Sequence, residues 1–380
     1  MEPKIRFKGF EGEWKALPIT EIASLKAGKS FNKLDAVDIP TVGYYPCYGG
    51  NGQRGYLPYY NQNGKYNIIG RQGALCGCIN VAEGKFYATE HAVIVTPITV
   101  TDFEFLHESL VRANINQYAT GAAQPGISVT NVNSQLSLNY PLYEEQKIIG
   151  KYFTSLDSQI SASTSRLASL KQMKAASLQA MFPQEGETVP KVRFKGFEGE
   201  WKKVKLGKLF SERIENNVYG EMLSVTMNNG IIKAAENGRF DNSNSDKSKY
   251  KVVKVGDIAY NSMRMWQGAS GCSQYEGIVS PAYTVVVPNA NIHSQFFAYH
   301  FKTIPMINLF RLHSQGLTKD TWNLKYPAFS IIEVSYPESK AEQQAIASYF
   351  TTLDHQITLQ TQRLEKLKQI KSACLDKMFV

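Results

Sequence analysis

Residues 145–182 read EQKIIGKYFTSLDSQISASTSRLASLKQMKAASLQAMF, and residues 342–379 read EQQAIASYFTTLDHQITLQTQRLEKLKQIKSACLDKMF. Aligned without gaps, 21 of the 38 positions are identical. In both copies apolar residues recur at intervals of three, four and seven, which predicts a long helix with an apolar stripe close to the coiled-coil period. At ~1.5 Å per residue, each helix would be about 55 Å long.

An apolar stripe of this length must be covered, and two similar helices of one chain most simply cover each other. We therefore expect the two helices to pair as an antiparallel coiled coil with pseudo-two-fold symmetry. The alternative is that each helix packs separately on its own globular domain. Segment 183–189, PQEGETV, is polar and contains Pro and Gly, so we expect it to end the first helix and to link the two halves.

The repeat also includes the start of each half. Residues 3–15 are PKIRFKGFEGEWK and residues 190–202 are PKVRFKGFEGEWK, which differ only at Ile5 and Val192. Between the matched ends, residues 16–140 and 203–336 have no recognisable alignment. The chain is therefore a two-unit duplication with the order constant, variable, constant in each half, rather than a solenoid of many short units.

Both variable regions are predicted to be mixed α+β globules. In the first, strands are expected at Tyr66–Ile69, Ala74–Val81 and Ala92–Thr96, and a helix is expected to follow from the capping-box pair Thr101 and Glu104. In the second, residues 249–288 are rich in strand-forming residues, and the helical pattern of residues 291–312 is interrupted at Pro305.

The composition suggests a polyanionic partner. The chain has 380 residues, a formal net charge of +9 and a pI near 9.1, and basic proteins are attracted to nucleic acid. No run of 18 apolar residues exists, so we expect no membrane span. Five cysteines at irregular spacing and an N-terminus without an apolar segment favour a reducing cytoplasm over secretion.

Polar loops in both variable regions have the side-chain chemistry that reads DNA. Arg recognises guanine bidentately, and Asn and Gln recognise adenine, although any one such residue is more often an ordinary loop residue. The candidate DNA contacts are Gln53, Arg54, Arg71, Gln72, Gln124 and Thr130 in the first region, and Asn228, Asn229, Arg239, Arg264, Gln267 and Lys319 in the second.

We found no catalytic set in the sequence. KAGKS at residues 26–30 lacks the first glycine of a P-loop, there is no [D/N/S]-P-P-[Y/F/W] tetrapeptide of an adenine methyltransferase, and there is no deaminase zinc pattern. Cys47, Cys76 and Cys78 fit no zinc spacing and are better explained as strand packing. We therefore expect no metal site on this chain.

Two other functions fit parts of the sequence. A nuclease could use Asp241, Asp246 and Asp257 as metal ligands, but these residues are better explained by turns and loops. A coiled-coil adaptor that binds protein partners through two globular ends would account for the helices. It would not account for the basic charge or for the Gln, Asn and Arg loops.

In three motifs the chain resembles the specificity subunit of type I restriction–modification systems. The motifs are RFKGFEGEWKKVKLGKL at the start of a half, ATGAAQPGISVTNV late in a variable region, and PLYEEQKIIGKYF leading into the long helix. The resemblance implies that each variable region is a target-recognition domain for one half of a split, asymmetric DNA sequence. It also implies a non-catalytic role within a complex that methylates adenine N6 and cleaves DNA.

The resemblance further implies the partners and the division of the chain. Two methylation subunits, which bind S-adenosylmethionine, would dock on the paired helices and on residues 15–18, and restriction subunits would join the full complex. The resemblance implies no cofactor on this chain itself. The helix residues expected at the partner surface are Phe153, Leu156, Lys171, Lys174, Phe350, Leu353, Lys368 and Lys371. The implied segments are 1–143 and 190–340 as target-recognition domains, 144–182 and 341–380 as conserved helices, and 183–189 as linker.

Overall fold

The structure is a computed structural model that describes residues 2–73, 75–121, 125–237 and 246–379, with the backbone alone at Asp320. The chain forms two compact units. The first consists of residues 1–164 and 362–380, and the second of residues 165–361. Each long helix therefore contributes one end to each unit.

The first repeat contains the conserved start, a variable region and a long helix. Its strands and helices are β1 (Lys15–Pro18), α1 (Ile19–Ile22), β2 (Ala23–Ala27), β3 (Tyr45–Gly49), β4 (Gly52–Leu57), β5 (Gln62–Asn63), β6 (Tyr66–Gly70), β7 (Ile79–Ala82), β8 (Lys85–Ala88), β9 (Ala92–Pro97), α2 (Phe103–Arg112), β10 (Ala119–Thr120), β11 (Gly126–Ile127), α3 (Val129–Gln135), β12 (Ser137–Tyr140) and α4 (Tyr143–Ala180).

The second repeat follows the same plan. Its strands and helices are β13 (Lys202–Lys205), α5 (Leu206–Leu209), β14 (Phe210–Glu212), β15 (Leu223–Thr226), β16 (Gly230–Lys233), β17 (Lys251–Val253), β18 (Ile258–Asn261), β19 (Ser270–Cys272), β20 (Gly277–Val279), β21 (Tyr283–Pro288), α6 (Ser294–His300), α7 (Ile304–His313), α8 (Tyr326–Ser330), β22 (Glu333–Tyr336) and α9 (Lys340–Met378).

The two variable regions share one strand order although their sequences do not align. The main sheet has the order β2-β9-β6-β7 in the first unit and β14-β21-β18-β19 in the second, and both are antiparallel. In each unit the strand after the conserved start pairs with the strand before the long helix, as β1 with β12 and as β13 with β22. The predicted mixed α+β architecture is confirmed.

One backbone hydrogen bond aligns the two units residue by residue. The amide of Ile127 donates to the carbonyl oxygen of Arg71 at 2.8 Å, and the amide of Leu324 donates to that of Ser262 at 2.8 Å. Ile127 and Leu324 are both buried and precede α3 and α8, respectively. Since only apolar character and volume are required at such core positions, unlike sequences can form the same framework.

The repeated opening phrase clamps the start of each long helix. Arg6 donates to both carboxylate oxygens of Glu145 at 2.8 Å, and Arg193 donates to those of Glu342 at 2.7 and 2.8 Å. Glu145 and Glu342 are each 1% exposed, so these bidentate pairs lie inside their units. The conserved phrase and the conserved helix are therefore repeated together because they contact each other.

The long helices pair in antiparallel fashion within each unit. In the first, Lys371 Nζ lies 2.7 Å from Asp157, and Tyr152 Oη lies 3.3 Å from Cys374 Sγ, so residue numbers rise on one helix as they fall on the other. In the second unit the Ser177 hydroxyl lies 2.9 Å from that of Tyr349. The predicted antiparallel pairing is confirmed.

Each helix also packs on a globular domain, so the two alternatives considered from the sequence are both realised. The aromatic rings of Phe153 and Phe105 lie in one buried cluster of the first unit. In the second, Phe350 of α9 contacts Phe182 at 5.9 Å and Tyr299 at 5.0 Å between ring centroids.

Some local boundaries differ from the sequence-based expectations. Helix α2 begins at Phe103, and its cap is Asp102, whose carboxylate accepts the amide of Phe105 at 2.9 Å. The capping box expected from Thr101 is therefore wrong by one residue, since the Asp102 carboxylate already accepts the free amide of the first turn. The interruption at Pro305 is confirmed, because α6 ends at His300 and Pro305 lies in the first turn of α7. None of the helices in the described ranges has the length and apolarity needed to cross a bilayer.

Candidate nucleic-acid interface

In the first unit three segments meet at one edge of the main sheet. The turn of residues 50–51, which joins β3 to β4, packs against the end of β6, where a Cβ on Gly70 would collide with the Gly50 carbonyl group. Beyond β6, Gln72 forms a backbone bridge with Gly126. Close packing of these backbones places the loops that contain the sequence-predicted DNA contacts side by side.

Arg71 holds this edge together. Its Nε donates to the Ile127 carbonyl oxygen at 3.2 Å and its Nη1 to that of Glu90 at 3.4 Å. The backbone amide of Arg71 donates to the His91 carbonyl oxygen at 2.8 Å. Arg71 was expected to contact DNA, but its half-buried guanidinium is engaged with backbone carbonyl groups of two loops. Its position indicates that it organises the edge from within.

The other candidates of the first unit that lie within the described residues are on its surface. The side chain of Arg54, in β4, extends along the backbone of Gly49 in the neighbouring strand β3. Gln124 lies outside the described residues. The sequence-predicted residues that are exposed at or near this edge are Gln53, Arg54, Gln72 and Thr130.

In the second unit a hairpin turn and a short 3-10 helix form the corresponding edge. Asn228 and Asn229 lie in the turn between β15 and β16, and the Asn229 amide donates to Thr226 Oγ1 at 3.0 Å. This hairpin crosses β19 at Gly271, where a Cβ would lie 2.8 Å from the Cα of Gly230. The two asparagines are therefore held beside the 3-10 helix of residues 265–267.

A pair of tryptophans supports the remaining loop of this edge. Trp266, in the 3-10 helix, meets Trp322 edge to face with 5.3 Å between ring centroids. Arg264 and Gln267 flank Trp266 and are exposed, as is Lys319 in the loop before Trp322. Arg239 lies outside the described residues.

The two edges present different side chains at equivalent backbone positions. The residue after the aligned hydrogen bond is Gln72 in the first unit and Met263 in the second, and the next is Gly73 or Arg264. Both Gln72 and Met263 are exposed. An amide can pair with a base edge, whereas a thioether offers only an apolar contact of the kind that suits a thymine methyl group. The two edges therefore present different side-chain chemistry at equivalent positions.

The acidic residues considered for a nuclease are engaged elsewhere. Asp257 is 2% exposed and accepts from Arg213 Nε at 2.7 Å and Nη2 at 2.9 Å. Asp246 accepts the Ser248 amide at 2.9 Å, and Asp241 lies outside the described residues. Within the described ranges no His, Cys, Asp and Glu side chains form a metal-binding group. Burial raises the pKa of the Cys47 thiol to about 11, which keeps this thiol protonated at neutral pH.

The helix residues expected at a partner surface separate into two groups. Phe153 and Phe350 are fully buried, and Leu156 and Leu353 are 5% exposed, so these four contribute to the chain's own core and a partner would meet their exposed neighbours. The apolar stripe of each long helix is thus covered by a globular domain and by the other long helix.

The four lysines also divide. Lys174 pairs with Asp354 and Lys371 with Asp157, each pair joining the two long helices within one unit. Lys171 and Lys368, three residues earlier in each case, are exposed. Of these four, Lys171 and Lys368 are the ones available to a partner.

The family comparison matches this duplicated architecture. The model of the type I restriction modification DNA specificity domain matches residues 11–172 and again residues 198–369. Each match therefore begins in one copy of the opening phrase and extends into one long helix. The chain belongs to this family. The resemblance noted from the sequence motifs is confirmed.

A curated relative of this chain is a specificity subunit as well. The type I restriction enzyme EcoprrI specificity subunit of Escherichia coli is 37% identical over 155 residues, which cover 40% of this chain and 38% of that relative. The aligned part thus spans well under two thirds of the relative's length.

Two solved structures have the same fold. The crystal structure of the type I restriction–modification S subunit from M. genitalium has a TM-score of 0.69 and 16% identity, over 100% of this chain and 99% of that one. A structure described for complex assembly and conformational transition of the type I restriction–modification system has a TM-score of 0.50 and 13% identity, over 98% and 99%. At these identities the likeness concerns the fold alone.

The structural roles of two residues escaped the sequence analysis. The anchoring role of Arg71 depends on carbonyl groups far along the chain, and Lys302, which contacts both loops of the second edge, lies just after a helix without a distinguishing motif. The Gly-rich context of Arg71 was the one available signal, since Gly residues permit close backbone approach.

Proposed function

We propose that this chain is the non-catalytic DNA-recognition subunit of a type I restriction–modification complex. Each unit would read one half of a split, asymmetric target. The observation that carries the proposal is the pair of equivalent edges with unlike side chains, exemplified by Gln72 and Met263, on a framework with one strand order. Unlike edges on like frameworks favour two different half-sites.

Base recognition is assigned to exposed polar residues of the two edges. In the first unit Gln53, Arg54 and Gln72 would contact bases or phosphates, as would Thr130 in the first turn of α3 and Gln124. In the second, Arg264 would pair with guanine, and the other contacts would be Asn228, Asn229, Arg239, Gln267 and Lys319. Residues 1–143 and 190–340 would then be the target-recognition domains, with 183–189 as their linker.

Two identical methylation subunits would dock on the duplicated helical surfaces. Lys171 and Lys368 occupy matching positions of α4 and α9 and are both exposed, which supports two equivalent docking sites. Strands β1 and β13, at matching positions of the opening phrases, also have the same pattern of exposure. S-adenosylmethionine would bind the methylation subunits, restriction subunits would complete the complex, and the assembly would act in the cytoplasm.

Mapping of DNA methylation tests this function directly. The chain is co-expressed with a methylation subunit that contains an N-P-P-[Y/F] motif, and methyladenine is mapped across the host genome. We expect one bipartite, non-palindromic motif to be modified, and none with either protein alone. Binding by the isolated chain should be weak and salt-sensitive, because phosphate contacts dominate non-specific binding.

Exchange of one variable region is the sharper control. Replacing residues 16–140 with the corresponding region of another family member should change one half of the motif and leave the other half unchanged. A modified motif that changes in both halves would contradict the assignment of one half-site to each unit. Co-purification with a partner but no modified motif would favour the protein-adaptor function instead.

A further inference from the structure

Lys302 joins two segments of the candidate edge of the second unit, the turn between β15 and β16 and the 3-10 helix of residues 265–267. It lies two residues after α6, and its Nζ donates to the Met227 carbonyl oxygen at 2.7 Å and to that of Gly268 at 3.3 Å. Met227 begins the turn that contains Asn228 and Asn229. Gly268 ends the 3-10 helix of residues 265–267.

A cation is well suited to this position. Gly268 has a φ of +81° and caps the C-terminal end of the 3-10 helix, where carbonyl groups lack helical partners and the backbone dipoles favour positive charge. An ammonium group can donate three hydrogen bonds, so one Lys side chain can serve two loops at once. An aliphatic side chain of the same length would fill the space without holding either loop.

The surroundings make the charge of Lys302 sensitive to pH. Burial, reinforced by the nearby charge of Lys174, lowers the pKa of Lys302 to about 8, and Asp354 opposes this shift. Lys174 and Asp354 come from α4 and α9, and the Tyr299 hydroxyl of α6 donates to Asp354 at 2.8 Å. Lys302 is therefore charged at neutral pH and becomes neutral in moderately alkaline solution.

At the equivalent position the first unit has a described residue that cannot form this connection. Phe105 and Phe296 correspond, because each packs edge to face on the Trp of its opening phrase, at 6.0 and 5.7 Å respectively. Six residues after each lie Val111 and Lys302. A Val side chain cannot donate a hydrogen bond, so the first unit serves as an internal control within the same molecule.

We propose that Lys302 is a positioning residue for recognition of the second half-site. It fixes the turn that contains Asn228 and Asn229 relative to the 3-10 helix of residues 265–267, which presents Arg264 and Gln267. This inference rests on the proposed function. Two polar loops can read neighbouring base pairs together only if their separation is fixed, because a displaced donor no longer meets its base edge.

The test uses the assembled complex with its methylation subunits. Binding is measured for Lys302→Met and wild type on the mapped target and on targets with single base-pair changes in either half. Lys302→Met should lose about tenfold in discrimination at the second half-site, and its discrimination at the first should stay within about twofold. Lys208→Met, which removes an exposed cation of the same unit, should change neither.

A pH series provides a readout that a purely structural role would not give. Between pH 7 and 9.5 wild type should lose discrimination at the second half-site as Lys302 deprotonates, because the neutral amine donates weaker hydrogen bonds than the ammonium group to both carbonyl oxygens. Lys302→Met should show no such additional loss. This series also tests the inference without any mutation, should Lys302→Met fail to fold. A Lys302→Met complex that reads the second half-site as wild type does, or that loses both half-sites equally, would overturn the inference. Wild type that recognises no bipartite target would instead refute the proposed function.

Discussion

Arg193→Met should destabilise the second unit because it removes the partner of a buried carboxylate. Glu342 is 1% exposed and accepts two hydrogen bonds from Arg193, and the Trp201 indole N–H remains near it at 3.3 Å. Removing one partner of a buried ion pair costs about 3–5 kcal/mol. We expect about 3 kcal/mol, the lower end of this range, since the Arg193 side chain is 14% exposed and water can reach the vacated space.

Urea unfolding followed by tryptophan fluorescence measures this effect, since Trp201, Trp266 and Trp322 all lie in the second unit. At an m-value of about 3 kcal/mol/M, the midpoint should fall by about 1 M. Lys202→Met is the matched control. Its ion pair with Glu338 has the same 2.7 Å distance, but the two side chains are 57% and 63% exposed.

The control should leave the midpoint unchanged, because exposed ion pairs contribute little. The double variant Arg193→Met with Glu342→Met should recover part of the loss, since no carboxylate then remains buried. Equal midpoint shifts for Arg193→Met and Lys202→Met would refute the argument that burial, rather than distance, sets the strength of this clamp.

Three further predictions concern pH, helix pairing and DNA. Burial lowers the pKa of His300 to about 3, so its neutral form stabilises the second unit above pH 6.5 and this stability is lost as the pH falls. About 2 kcal/mol should be lost by pH 5, and His300→Phe should show a smaller difference between urea melts at pH 7 and 5; an unchanged difference would exclude His300 as the cause. Lys371→Met should destabilise the first unit by about 3 kcal/mol, because Glu108 is buried beside it. Protection of the α2 amides from hydrogen exchange measures this loss, and Lys368→Met, at an exposed lysine, is the control. Equal protection of α2 in the two variants would contradict the prediction. Arg264→Ala should cost about 1–3 kcal/mol at one half-site in binding assays with the complex, whereas equal loss on unrelated DNA would indicate a phosphate contact.

Local sequence patterns predicted the helices better than the loops. The long helices begin at Tyr143 and Lys340, each two residues before the repeated segments, because a sustained apolar period and the absence of Pro are local properties. Of the strand expected at Ala74–Val81, Ala74 lies outside the described residues, and the described part forms a strand only at Ile79–Ala82, since the backbone turns at residues 75–77. The turn packs at Gly77 on the 3-10 helix of Ile115–Tyr118. No local sequence pattern encodes this contact.

For the candidate interface, the sequence supplied the residue types and the structure supplied their roles. Gln72 and Arg264 are exposed at equivalent edges, in agreement with a surface role. Arg71 has the same chemistry as Arg264, yet its guanidinium bonds a carbonyl group 56 residues away. Exposure depends on which loops pack together, so residue type alone could not separate these two arginines.

By itself the sequence determined the duplication, the two long helices and their likeness to one family, because repetition and helical period are readable along the chain. Only the tertiary structure decided that two unlike variable regions share one strand order and that Arg6 clamps Glu145, 139 residues further on. Such contacts arise when distant segments exclude water together and leave their polar groups to pair with one another. Many different sequences meet that condition, so the pairing is set by the packed fold rather than by any local run of residues.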